Sequence, residues 1–150
     1  MINTKIVRNG LALLASSLLF TPTAGLASSA RQGQVETKLI AAAKYLRNSE
    51  YMPTHPPLVN RLSRNQVDAF TLELEAGKSY TLVSFCDDAC LDIDLGLYDN
   101  NGQTVDYDTD YGQYPIVQVT PRGTGKFMVK VGMPHCVSSS CYYGVGIFAK

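Results

Sequence analysis

From about Leu58 to the C-terminus the apolar residues recur at every second position, and that period restricts the chain to β-structure. Phe70, Leu72 and Leu74 alternate with Thr71 and Glu73. Ile93, Leu95 and Leu97 alternate with Asp92, Asp94 and Gly96, and Phe127, Val129 and Val131 with the lysines and methionine between them. Residues 80–85 (YTLVSF), 104–108, 116–120 (IVQVT) and 142–148 (YYGVGIF) complete seven strand candidates, and residues 58–63 add an eighth. Turn formers separate them: Ala76-Gly77-Lys78, Asp99-Asn100-Asn101-Gly102 and residues 121–125. Short strands at regular spacing predict an antiparallel β-sandwich or jelly roll of about seven to eight strands.

The segment before these strands has a different period. Val35, Leu39, Ala42, Ala43 and Leu46 fall at helical spacing, predicting one N-terminal helix over residues 34–48. Residues 51–57 (YMPTHPP) contain three prolines and are expected to be an irregular linker.

The first 30 residues read as an export leader. Lys5 and Arg8 precede a ten-residue apolar run, residues 11–20 (LALLASSLLF), and a small-residue stretch, residues 21–30 (TPTAGLASSA), follows. The run is too short for a bilayer, which takes about 20 apolar residues. Cleavage is expected after Ala27, with Ala30 as the alternative. The expected organisation is therefore a signal peptide over 1–27, helix and linker over 28–57, and a sandwich domain over 58–150. The first cysteine is Cys86, so no N-terminal lipid anchor is expected, and the product is expected to be periplasmic or secreted.

Without the leader, two of the 13 basic residues and none of the 13 acidic ones are lost, leaving a net charge of −2. That is no footprint for nucleic acid or for anionic lipid. All four cysteines remain, as Cys86-x3-Cys90 and Cys136-x4-Cys141. In an oxidising compartment they are expected to form disulfides rather than a zinc site, whose usual pattern is two CxxC pairs. The short loops favour Cys86–Cys90 and Cys136–Cys141; cross-pairing stays open if the loops share one end of the fold.

Several stretches from Phe70 onward have the order and spacing of a known family. They are Phe70 to Gly77 (FTLELEAG), Asp92 to Gly102 (DIDLGLYDNNG) with Asp108 shortly after, Gly125 to Val131 (GKFMVKV) and Tyr143 to Ile147 (YGVGI). Together they resemble the bacterial pre-peptidase C-terminal domain family. The resemblance implies a β-sandwich acting as a non-catalytic accessory or binding module, sometimes with calcium, here as a stand-alone exported member. The helix and the two cysteine pairs depart from the family pattern.

Two groups of residues are candidates for function. Eight of the 13 acidic residues fall within 24 positions, from Asp87 to Asp110. Asp92 and Asp94 share one strand face, and Asp106 and Asp108 share another. Paired across the hairpin, the four would repel unless a cation such as Ca2+ sat among them. Beside them stand Tyr98, Tyr107, Tyr111 and Tyr114, aromatic faces suited to stacking on a glycan or packing against a protein. His55 and His135 lie in Pro-containing loops and match no hydrolase motif. The expected function is an exported, non-catalytic module recognising a protein or glycan. The alternatives are a small hydrolase using the aspartates and a structural or stress-protective envelope protein.

Overall fold

The computed structural model describes residues 24–150. Helix α1 (Ala24–Arg47) leads into nine strands: β1 (Met52–Pro53), β2 (Leu58–Ser63), β3 (Val67–Leu74), β4 (Tyr80–Cys86), β5 (Cys90–Tyr98), β6 (Thr104–Asp108), β7 (Ile116–Val119), β8 (Gly125–Cys136) and β9 (Ser140–Ala149). One sheet runs β1-β9-β4-β7, with β2 also paired to β9, and the other runs β3-β8-β5-β6. All pairings are antiparallel. The β-sandwich expected from the period is therefore present, with every expected strand in its place.

Alternate residues face inward, as the period requires. Leu74, Leu82, Ile93, Leu95, Leu97, Val117, Val129, Val131, Val145 and Ile147 meet between the sheets and are buried. Tyr143 crosses this core from β9, and its hydroxyl donates to the Asp68 carboxylate at 2.5 Å on the opposite sheet. Asn60 of β2 donates to the same oxygen, so the β2/β3 margin is closed by one carboxylate. Burial, and then the hydrogen bond to Asp68, push the Tyr143 hydroxyl well above the usual phenol range.

Three boundaries differ from expectation. The linker contributes a two-residue strand, β1, paired to Ala149 and Phe148. Pro53 is tolerated there because it lies at a sheet margin. β8 runs to Cys136, because the chain passes Gly132, Pro134 and His135 with register shifts opposite Asp92 and Asp94 rather than turning. α1 starts ten residues earlier than residue 34 and ends at Arg47. Its first half has no apolar stripe to betray it; Ser28 and Arg31 are instead held by residues more than 100 positions away. Residues 1–23 of the expected leader lie outside the described residues. Cleavage after Ala27 or Ala30 would fall within α1. Among the described residues no helix is long and apolar enough to cross a membrane.

α1 covers the outer face of the first sheet through Val35 and Leu39, both buried. The seat is made by glycines on β9. A Cβ at Gly144 would stand 2.6 Å from Val35 Cγ1 and 2.8 Å from Leu39 Cδ1, and one at Gly146 would stand 2.7 Å from the Phe148 ring. The helix can approach this closely only because these positions lack side chains.

Candidate functional site

Both disulfides lie at one end of the sandwich, because Cys90 and Cys136 are register partners in β5 and β8. The pairing is nevertheless local, Cys86–Cys90 and Cys136–Cys141. Between them lies Asp87, fully buried. Its carboxylate accepts the backbone N–H of Ala89 and of Tyr142, each at 2.9 Å, with Arg31 Nη1 3.8 Å away. Among the described residues, every polar side-chain contact from α1 to the sandwich lands beside these bridges. Ser28 meets the Tyr142 hydroxyl, and Arg31 donates to the Ser140 carbonyl. Gln34 accepts from the Asp88 N–H, and Lys38 donates to the Cys86 carbonyl and the Asp88 carboxylate.

Asp92, Asp94, Asp106 and Asp108 do not share one face of the sheet. Asp106 and Asp108 pair with Leu97 and Leu95, so they share the inward side of β6 with two core leucines. There, at the margin of the sandwich, they reach across to the other sheet. Asp106 accepts the Gln118 N–H at 2.7 Å and Asp108 the Ile116 N–H at 2.9 Å, both from the outer strand β7. Asp94 points the opposite way, out of the sheet beside the inward Leu95. Asp92 is buried and accepts the Gly112 N–H at 3.0 Å. Asp99 holds the N–H groups of Asn101 and Gln103 in the hairpin. Among the described residues no three acidic, histidine or cysteine side chains assemble to hold a metal ion. Backbone donors, and Lys38 for Asp88, take up most of the charge that the sequence concentrates here.

Asp94, like the exposed Asp110, has no side-chain hydrogen bond or ion pair among the described residues. Burial raises its carboxyl above the usual range, and the nearby charges of Asp92 and Asp108 add to the shift. It lines a concavity of about 250 Å³ on the outer face of the second sheet, with Tyr98, Tyr107, Lys130, Val67 and Thr109. The Tyr98 ring lies over Gly96, where a Cβ would come within 2.9 Å of it, and the Lys130 ammonium sits 4.5 Å from the ring centroid. Lys130 and the two glycines, Gly96 and Gly132, were not among the expected site residues. A mid-strand glycine is the sequence sign of such a close approach.

The four tyrosines divide. Tyr98 is packed onto the sheet, while Tyr107, Tyr111 and Tyr114 are 64%, 72% and 69% exposed. Tyr111 and Tyr114 lie on the β6–β7 loop, which is pinned to β5 by several hydrogen bonds. Gly112 accepts the Ile93 N–H and donates to Asp92, and Gln113 donates to the Cys90 carbonyl. Tyr111 also meets the His135 ring edge-on at 6.3 Å. Exposed rings on a loop held in this way form a fixed surface.

No family model matches the sequence, and no curated protein matches it. Solved structures do. The pre-peptidase C-terminal domain of a collagenase from Bacillus anthracis superposes with a TM-score of 0.50 at 12% identity, over 61% of this chain and 87% of that one. A periplasmic inhibitor of g-type lysozyme from Aeromonas hydrophila superposes with a TM-score of 0.47 at 11% identity, over 63% and 85%. At this identity the likeness is one of fold: the chain has the sandwich of a pre-peptidase C-terminal domain.

Proposed function

We propose that this chain is an exported, non-catalytic member of the pre-peptidase C-terminal domain family that binds another exported protein or a glycan through the tyrosine-bearing face at its disulfide end. The observation that carries the reading is the exposure of Tyr111 and Tyr114 on a loop pinned to β5, with Tyr107 exposed on β6. Rigid aromatic side chains offer contact area at low entropic cost, which is why they dominate binding surfaces. The leader pattern and the two bridges support export.

The rival hydrolase needs two carboxylates about 5–10 Å apart across a cleft. The concavity on this face is lined by one, Asp94. The proposed surface does not require calcium: Asp92 holds the loop through the Gly112 N–H, and Asp106 and Asp108 hold β7.

The test compares the wild-type protein with the double variant Tyr111→Ser, Tyr114→Ser. Each is immobilised and exposed to peptidoglycan sacculi, to a polysaccharide panel, and to the exported fraction of the producing cells under cross-linking. Loss of two hot-spot rings weakens binding by roughly thirtyfold or more. A ligand retained equally by both proteins would refute the tyrosine face, and turnover of a polysaccharide would favour the hydrolase.

A further inference from the structure

A second surface, remote from the tyrosines, has the composition of a ligand site. Between α1 and the β1–β2 segment lies a cleft of about 300 Å³. Its walls are Leu39, Ile40, Ala43, Pro53, Pro57 and Phe148, and Gly146 contributes no side chain to it. That volume stands at the lower end of small-molecule sites, which are apolar with a few polar groups at fixed places. Ile40 is 57% exposed at its lip.

The charged groups along the cleft are segregated, and His55 also lines it. Ile40 and Ala43 also line an adjoining depression with Lys44 and Arg47, in the last turn of α1. Neither cation makes an ion pair among the described residues. The single carboxylate on the cleft, Glu36, stands toward the other end of the same stretch of helix, and 11 residues of helix separate it from Arg47, about 16 Å. The cleft thus offers an apolar trough with a free cationic end and an anionic opposite end.

We infer that this cleft binds a single-chain anionic amphiphile, with its acyl chain against Leu39, Ile40 and Phe148 and its head group at Lys44 and Arg47. A fatty acid and a lysophospholipid share this chemistry, and the volume holds one chain rather than two. Lys44 and Arg47 favour an anionic head at their end, and Glu36 repels one at the other, which sets the direction of the chain. The site is independent of the tyrosine face, so either assignment can fail without the other.

The probes are octanoate, decanoate, laurate and 1-lauroyl-lysophosphatidylglycerol, with dodecanol and dodecyltrimethylammonium as controls, all below their critical micelle concentrations. Binding to the purified protein is read by calorimetry. Each added pair of methylenes tightens binding about tenfold until the cleft is filled. Laurate against the lysolipid decides which source of the head group is preferred. The variants Ile40→Glu and Lys44→Glu/Arg47→Glu change exposed positions, and melting curves verify that they fold. Each weakens laurate binding tenfold or more, whereas Arg122→Glu, remote from the cleft, leaves it unchanged. Three results would overturn the inference: no saturable laurate binding, equal affinity for the cationic control, or affinity untouched by both cleft variants. A concentration-dependent dimer abolished by Ile40→Glu would overturn it too, assigning the cleft to a second copy of the chain.

Discussion

The buried Asp87 offers the sharpest test of how the disulfide end is held together. In Asp87→Ala the N–H groups of Ala89 and Tyr142 lose their acceptor, and Arg31 loses the only carboxylate within 4 Å of it among the described residues. A hydrogen bond to a charged group contributes about 1.5–3 kcal/mol, and a buried donor left unpaired costs a similar amount. Two such bonds in a site with no solvent access give a loss of roughly 3–5 kcal/mol. For a domain of this size that is a fall in Tm of about 10–20 °C. Asp87→Asn keeps one acceptor oxygen and turns an amide toward the other donor, so it recovers only part of the loss. Asp88→Ala is the control: its carboxylate is exposed and, among the described residues, meets only Lys38 at 3.3 Å, a surface pair worth at most about 1 kcal/mol. Thermal melts monitored by circular dichroism read all three, and hydrogen exchange over residues 28–38 reports whether α1 loosens with the loop. A Tm for Asp87→Ala within 3 °C of wild type would show that the carboxylate is not what fixes this end.

Further outcomes are expected elsewhere. Gly144→Ala places a methyl against Val35 and Leu39 and costs about 1–3 kcal/mol by overpacking; adding Val35→Ala recovers part of this, which a double-mutant cycle on denaturant midpoints measures. Asp94 has its folded-state carboxyl raised above its unfolded value, so its contribution is present at low pH and lost as pH rises through the folded titration. Asp94→Asn is therefore more stable than wild type at pH 7, and the advantage disappears below the unfolded carboxylate range; equal advantage at pH 3 and pH 7 would contradict the assignment. Melting in millimolar calcium and in EDTA gives the same Tm, whereas Asp106→Ala costs about 1–2 kcal/mol by freeing the Gln118 N–H. A calcium-dependent rise would restore the metal site that the acidic sequence invites.

The sandwich was legible because period two needs only composition along each strand, and a half-buried sheet imposes it. How the aspartates are arranged depends on something local patterns cannot supply. In β6 the apolar Val105 and Tyr107 face outward and the aspartates face in, the reverse of the usual order. Which side faces the core depends on the pairing to β5, where Tyr107 stands opposite Gly96, and a slip of one residue would exchange the two faces. The start of α1 escaped for a related reason: Ser28 and Arg31 are ordered by Tyr142 and Ser140, whose proximity no helical period encodes. The cysteines were easier, since short loops between strands leave local bridging as the simple geometry even where the two pairs adjoin.

The carboxylates that reach β7 also limit how this molecule can be approached. An outermost strand normally exposes a row of N–H groups on which a foreign strand can be templated. Here Asp108 and Asp106 occupy the Ile116 and Gln118 N–H groups, so that row is spent within the domain. Strand addition, a common route by which sheets capture extended peptides, is closed at β7. A partner arriving beside the β6–β7 loop must be recognised by side chains, and the side chains standing out there are Tyr111 and Tyr114.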